Sequence, residues 1–129
     1  MNSMLILFHN TRDVATETVA QTLAQIPDVR IEIVEPSRII VWKDSWPIRV
    51  WCAKEPHVLQ ESGEIAELFA TERQDRGIIA SSDRRFEVSY EPDPDMNYFN
   101  TWLFVIEKLF PLVQGKVFDP TDGTFPYSS

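Results

Sequence analysis

The chain has 129 residues, a length typical of a single domain with one hydrophobic core. Hydrophobic residues make up 43% of it and charged residues 25%, which is the composition of a globular protein and not of a disordered chain. The formal net charge of −8, of which residues 87–129 hold −5, disfavours direct binding to nucleic acid phosphates and to anionic membrane surfaces.

The amino-terminal 27 residues predict a strand followed by a helix. The run Met4 to Phe8 is apolar and fits a buried strand, but it is too short for a signal peptide or a membrane span. Asn10 and Asp13 predict the start of the helix, and Pro27 predicts its end. Four apolar residues share one face of this helix: Ala15, Val19, Leu23 and Ile26.

The central region predicts a meander of three antiparallel strands. Alternating apolar residues from Val29 to Ile33 predict the first strand, which ends at the turn signal Glu35-Pro36-Ser37. β-Branched residues and tryptophans predict the next two strands at Arg38 to Lys43 and Ile48 to Ala53. The four residues Asp44 to Pro47 between them predict a hairpin loop.

A second helix and a second hairpin are predicted next. Glu61 to Arg73 shows Ile65, Leu68 and Phe69 on one side and acidic residues around the remainder, as in a helix that lies on a sheet. Ile78 to Ala80 and Arg85 to Tyr90 then predict two hairpin strands.

The carboxyl-terminal part predicts an apolar helix from Met96 to about Phe110, with a kink or end caused by Pro111. A last strand is predicted at Lys116 to Phe118, and Asp122-Gly123 predicts a turn. The sequence thus predicts one α+β domain over residues 1–129, with a mainly antiparallel sheet of about five to seven strands and three helices packed on it.

Residue patterns for catalysis and for metal or cofactor binding are sparse. Cys52 and His57 are five residues apart, which places them on opposite faces of an extended strand, so we expect a buried thiol and a surface histidine instead of a catalytic pair. The segment Asp119 to Gly123 is similar to part of a calcium loop but lacks the distal ligands, so it predicts a plain turn. We therefore expect no catalytic residue, no metal and no cofactor.

Two short segments are candidate partner-binding residues. Trp46, with Asp44 in the same predicted loop, either folds over the end of the sheet or is exposed as an interface residue. Glu91, Asp93 and Asp95 are separated by two prolines, which stiffen the segment. These acids either cap the following helix and lie in solvent, or form a preorganised acidic patch for lysines and arginines of a partner.

The ending KVFDPTDGTF, preceded by an amphipathic helix and by acidic stretches such as ELFATERQ, resembles the ending of many small acidic bacterial proteins. Among these are immunity proteins that neutralise toxins of contact-dependent or secreted competition systems. The resemblance covers the carboxyl-terminal segment alone and implies a bacterial cytoplasmic protein. Its implication for function is an inhibitor that binds a basic, nuclease-like toxin.

Two other classes of function stay open. One is a small-molecule binding or enzymatic domain with a pocket lined by Trp42, Trp51, Tyr90 and Trp102. The other is an oligomerisation module that uses the edges of the sheet.

Overall fold

The computed structural model describes residues 2–35 and 37–127. The strands are β1 (Asn2–Phe8), β2 (Arg30–Glu35), β3 (Arg38–Lys43), β4 (Trp46–Ala53), β5 (Arg84–Tyr90) and β6 (Lys116–Phe118). The helices are α1 (Thr16–Leu23), α2 (Pro56–Phe69), α3 (Arg76–Ala80) and α4 (Phe99–Leu112). Pro36, in the middle of the predicted turn after β2, lies outside the described residues.

Within these ranges the six strands form one antiparallel sheet in the order β2-β3-β4-β5-β1-β6. This confirms the predicted α+β class and the meander of β2, β3 and β4. The predicted four-residue loop between β3 and β4 is wrong, because Lys43 pairs directly with Trp46 and only Asp44 and Ser45 turn. Asp44 has a φ of 54°, in the left-handed region that two-residue hairpins use.

The predicted second hairpin is wrong. Ile78 to Ala80 lie in the short helix α3, where the hydroxyl of Ser82 donates to the carbonyl of Ile78 at 2.9 Å. β5 itself is present, but it pairs with β1 on one side and with β4 on the other. Because β5 lies in the interior of the sheet, Phe86 and Val88 are buried. The local sequence pattern predicts only that they belong to a strand with alternating residues.

The predicted start of the first helix is also wrong. Asn10 lies in a separate 3₁₀ turn, and its backbone N–H and side-chain amide donate to the carboxylate of Asp83 at 2.9 and 2.7 Å. These bonds tie Asn10 to the loop before β5, and α1 begins only at Thr16.

Helix α2 begins five residues earlier than predicted, at Pro56, and ends at Phe69. A proline is favoured in the first turn because its missing N–H would have no partner there. Of the residues predicted to face the sheet, Ile65 is buried, whereas Leu68 is largely exposed and Phe69 is partly exposed.

The helices cover the two faces of the sheet unequally. Helices α1 and α4 lie on one face, here called the α1/α4 face, over the larger core cluster. Helices α2 and α3 lie on the other face, over a smaller cluster near β1, β5 and β6. The larger cluster comprises Ile6, Phe8, Val19, Leu23, Ile26, Ile39, Val41, Trp46, Ile48, Val50, Phe86, Val88, Trp102, Val105, Ile106, Leu109, Val113 and Val117.

Opposite the α1/α4 face, strands β2, β3 and β4 form an open sheet face. Trp42 and Trp51 lie there under the guanidinium groups of Arg30 and Arg38, at 5.3 and 4.7 Å from the ring centroids. The outer strand β2 is interrupted by a β-bulge before Glu35, and bulges of this kind hinder pairing of an edge strand with another chain.

Helix α4 continues past the predicted end near Phe110 and reaches Leu112, with Pro111 inside its last turn. Gln114 then adopts a φ of 51°, and the N–H of Gly115 donates to the carbonyl of Phe110 at 2.8 Å, which closes the helix. At Gly115 a Cβ atom would overlap with the Ile6 side chain, so glycine lets the chain pass close to β1 before it enters β6.

Candidate functional site

The two candidate segments of the sequence meet at one end of the molecule. The indole N–H of Trp46, at the start of β4, donates to the carbonyl of Glu91 at 3.1 Å. The same indole stacks on Tyr98 with 4.8 Å between ring centroids and 13° between planes. The β3–β4 turn and the segment from Glu91 to Tyr98 are thereby joined, although they lie 45 positions apart in the sequence.

Trp46 is not an exposed contact residue. It is only 7% exposed, because its ring packs against Tyr98 and, at 5.3 Å and 54°, against Tyr90. Of the two alternatives expected for Trp46, the structure therefore shows the first, in which the indole covers the end of the sheet and is not exposed. Its contribution to any partner-binding surface is to hold the β3–β4 turn and the segment from Glu91 to Tyr98 together.

The four acidic candidates have different surroundings. The carboxylate of Asp93 accepts the backbone N–H groups of Asn97 and Tyr98, both at 3.0 Å, just before α4 begins. Glu91 is paired with Arg49 at 2.8 Å.

Asp44 lies close to Tyr98, and Asp95 is exposed. Partial desolvation raises the pKa of Tyr98, and the carboxylates of Asp44 and Asp93 raise it further. Asp95 and Asp44 are therefore the candidates whose charge is most open to solvent, whereas Asp93 also shapes the turn.

Next to these acids lies an aromatic hollow of about 220 Å³ at the amino-terminal end of α4. Most of its lining is aromatic, since Trp102 packs on Tyr90 with 4.4 Å between centroids and Phe99 lies on the first turn of α4. The lining residues are Trp46, Tyr90, Asp93, Met96, Phe99 and Trp102.

A second hollow, here called the tail hollow, lies between α4 and the carboxyl-terminal tail and has a volume of about 530 Å³. It shares Tyr90, Phe99 and Trp102 with the aromatic hollow, so the two together form one groove along α4, here called the α4 groove. The remaining lining of the tail hollow is Ser3, Met4, Leu103, Ile106, Asp119, Thr121, Asp122, Pro126 and Tyr127.

The tail contributes a second acidic turn to this groove. Asp119 accepts the backbone N–H of Thr121 at 2.9 Å, and Gly123 takes a φ of 69°. The predicted turn is thus confirmed, and in the described part of the chain no group of three or more His, Cys, Asp and Glu residues is arranged to hold a metal ion. Asp122 is exposed and lines the tail hollow, whereas Asp93 lines the aromatic hollow.

The floor and the edges of the α4 groove differ in character. Trp102 is only 5% exposed at the floor, whereas Phe99 is 42% and Met96 61% exposed at the opening. Within residues 2–35 and 37–127, no lysine or arginine lines either hollow. The groove therefore has apolar and aromatic walls with acidic groups in each of its two hollows, and it can bind a positively charged, partly apolar ligand.

The alternative aromatic pocket predicted from the sequence does not form. Tyr90 pairs with Ile48 and faces the α1/α4 face, like Trp102 of α4. Trp51 alternates with Val50 along β4 and, like Trp42, lies on the open sheet face. The four aromatic residues are thus divided between opposite faces of the sheet.

Cys52 and His57 also lie apart. Cys52 lines a separate cavity of about 530 Å³ beside α1, whereas His57 is exposed in the first turn of α2 and does not line that cavity. Burial raises the pKa of the Cys52 thiol, which disfavours the thiolate form needed of a nucleophile. Cys52 is half-buried instead of fully buried as expected, and its inertness stays a prediction.

The sequence analysis missed Phe99, Met96 and Asp122 as candidate site residues. The signal available for the two apolar residues was the width of the apolar surface of the last helix, which nearly encircles it. One sheet face covers only one side of a helix, so some of those side chains had to lie in solvent or against a partner.

Comparisons of the chain with protein-family models, with curated proteins and with solved structures found no match. In the described residues no helix has the length and apolar character needed to cross a membrane.

Proposed function

We propose that this chain is a protein-binding domain that holds a basic segment of its partner in the α4 groove. The single observation that supports the proposal is that the exposed Phe99 lines both hollows, one of which also contains Asp93 and the other Asp122. An apolar centre with a charged rim is the usual anatomy of a protein interface, and aromatic side chains at such a centre supply much of the binding free energy.

The charge of the chain supports a basic partner. The net charge is −8. Residues 87–129, which contain α4 and the acidic segments at 93–95 and 119–122, have seven acidic residues and two basic ones. Neither Asp95 nor Asp122 has an ion-pair partner among the described residues. A field of this kind raises the association rate of a cationic partner and repels polyanions.

The partner class follows from the resemblance of the ending KVFDPTDGTF to immunity-type proteins. Within this proposal the partner is a basic, nuclease-like toxin, and the chain neutralises it by covering a cationic surface that the toxin needs for its own substrate. A cytoplasmic location belongs to the same proposal and is favoured by the single cysteine of the chain.

Selection of short random peptides displayed on phage against the purified chain tests the binding proposal. We expect the selected peptides to be rich in lysine and arginine and to contain apolar residues. Their affinity should fall about tenfold for Phe99→Ala, because Phe99 supplies apolar area at the centre of the groove. Phe104→Ala is the matched control, since Phe104 is exposed to a similar extent on the same helix but lines neither hollow.

The acidic rim is tested with two double variants of equal charge change. Asp95→Ala with Asp122→Ala should slow association of the selected peptides several-fold at low salt. Glu67→Ala with Glu72→Ala removes the same charge outside the groove and should have little effect. Selection of neutral or acidic peptides, or equal losses in both double variants, would refute the proposal.

The toxin part of the proposal needs a test in cells. The chain is expressed together with a nuclease-like toxin encoded beside its own gene, and survival is counted. We expect protection by the native chain and by Phe104→Ala and loss of protection by Phe99→Ala. Failure of the native chain to protect would overturn the toxin assignment, while the peptide result would decide the binding proposal independently.

A further inference from the structure

The aromatic hollow has a composition that is uncommon for a simple apolar cleft. Four aromatic rings line about 220 Å³, together with one thioether and one carboxylate. A ring face carries negative electrostatic potential and attracts a cation within about 6 Å of the ring centroid. Several rings around one small space therefore favour a positive group there over a neutral one.

The orientation of the rings favours a compact cation. Trp46 and Tyr90 are inclined at 54°, and Tyr90 and Trp102 at 57°, with 5.3 and 4.4 Å between centroids. The paired rings are in contact with each other, so they do not present one flat platform to the hollow. An ammonium group is compact and can be approached from several directions, whereas a planar guanidinium binds best when it stacks parallel to one ring.

The carboxylate of Asp93 adds a formal negative charge to this space. It accepts two backbone N–H groups at 3.0 Å, which fixes its position without neutralising it. No lysine or arginine of the described residues lines the hollow, so the chain does not fill it with a cation of its own. Asp44 lies next to Tyr98, which stacks on Trp46, and increases the negative potential of this end.

We propose that the aromatic hollow receives the ammonium group of a lysine side chain of the partner, which makes that lysine the anchor of the complex. This inference rests on the proposed function, because it names the residue of the basic segment that the α4 groove selects. The methylene chain of the lysine lies along Phe99 and Met96, and the ammonium group lies beside Asp93 and against the parts of Trp46, Tyr90 and Trp102 that line the hollow.

Three small probes test the inference without a partner. They are the Nα-acetyl methylamides of lysine, of arginine and of norleucine, which has an unbranched aliphatic side chain without the ammonium group. Binding is followed by two-dimensional ¹H–¹⁵N NMR of the tryptophan indole N–H groups in the full chain. We expect the lysine probe to shift the Trp46 and Trp102 signals saturably, and the Trp42 and Trp51 signals on the open sheet face to stay in place.

Two variants separate a cation–π site from an apolar one. Phe99→Leu keeps apolar bulk at the opening but removes one ring, and it should weaken the lysine probe about three- to tenfold. Phe104→Ala should leave the affinity unchanged. Both side chains are partly exposed on α4, and an unchanged urea midpoint would show that neither variant unfolds the chain.

The outcomes of this experiment are distinct from those of the peptide selection. Binding of norleucine as tight as that of lysine, tighter binding of arginine, or no shift with any probe would each overturn the lysine anchor. Any of these results together with selected basic peptides would leave the proposed function supported. A lysine probe that binds while no basic peptide is selected would support the cation site and refute the proposed function.

Discussion

Trp46→Phe tests the central structural claim that one buried indole joins the β3–β4 turn to the segment from Glu91 to Tyr98. The substitution keeps an aromatic ring in contact with Tyr90 and Tyr98 but removes the indole N–H that donates to the carbonyl of Glu91 at 3.1 Å. Loss of that hydrogen bond costs about 1 kcal/mol of unfolding free energy. The smaller ring also leaves space at a site that is 7% exposed, which costs about a further 1–2 kcal/mol.

We therefore expect Trp46→Phe to lower the free energy of unfolding by about 2–3 kcal/mol. Trp51→Phe is the matched control, because Trp51 lies half-buried on the open sheet face, where its ring contacts the Arg38 guanidinium at 4.7 Å. That substitution should cost less than about 1 kcal/mol. Urea unfolding at neutral pH, followed by circular dichroism, measures both changes as shifts of the midpoint at constant slope.

A cost for Trp46→Phe no greater than that for Trp51→Phe would refute this reasoning. The same variant makes a second measurement possible, because the aromatic hollow depends on the position of Trp46. If the indole organises the hollow, Trp46→Phe should weaken the lysine probe even at temperatures where the variant is fully folded. Unchanged affinity would show that Phe99 and Trp102 form the hollow without it.

Three further predictions concern packing, pH and thiol chemistry. Gly115→Ala should destabilise the fold by about 1–3 kcal/mol in urea unfolding, because a Cβ there overlaps with Ile6. Gly63→Ala, in open space within α2, should stabilise it by up to about 1 kcal/mol, and a reversed order of the two variants would contradict the packing argument. The hydrogen-bonded arginine partner of Asp75 lowers the pKa of that carboxyl, so its stabilising effect is present above the ordinary Asp pKa of about 3.9 and is lost as pH falls through the lowered value. Asp75→Asn should therefore be less stable at pH 7 and lose less stability on acidification. An equal loss of unfolding free energy on acidification in both proteins would show that the Asp75 ion pair does not contribute to stability. Burial raises the pKa of the Cys52 thiol, so iodoacetamide at mildly alkaline pH should alkylate it far more slowly in the folded chain than in urea; equal rates would contradict its burial.

Local sequence patterns predicted the positions of strands and helices better than they predicted which strands pair with each other. The alternation of Phe86, Val88 and Tyr90 identified β5, but its neighbours β1 and β4 are distant in sequence, and no local pattern specifies such pairing. The nearby segment Ile78 to Ala80 was therefore assigned as its hairpin partner. Three apolar residues fit one helical turn as well as a short strand, and contacts with α2 and β1 favour the helix.

The candidate site was predictable in part for a similar reason. Charge and proline spacing identified Asp93 and Asp95; Asp93 lines the aromatic hollow, whereas Asp95 is exposed two residues further along and lines neither hollow. The short turn at Asp44 moved Trp46 into β4 and into the core, which its predicted loop position did not show. Asp122 joins the site only because the tail returns along α4, a tertiary contact with no local signature.

The α4 groove continues the hydrophobic core to the surface, and this explains which substitutions separate stability from binding. Trp46 and Trp102 belong to the core cluster and also form the floor of the groove, so changing either one affects folding and recognition together. Phe99 and Met96 project beyond that floor and are 42% and 61% exposed. If these side chains served stability alone, their exposure would not stabilise the fold, since exposed apolar area in water is unfavourable. The proposed binding of a basic partner would give their position a physical reason, because such a partner would bury the two side chains while its cations meet the nearby acids.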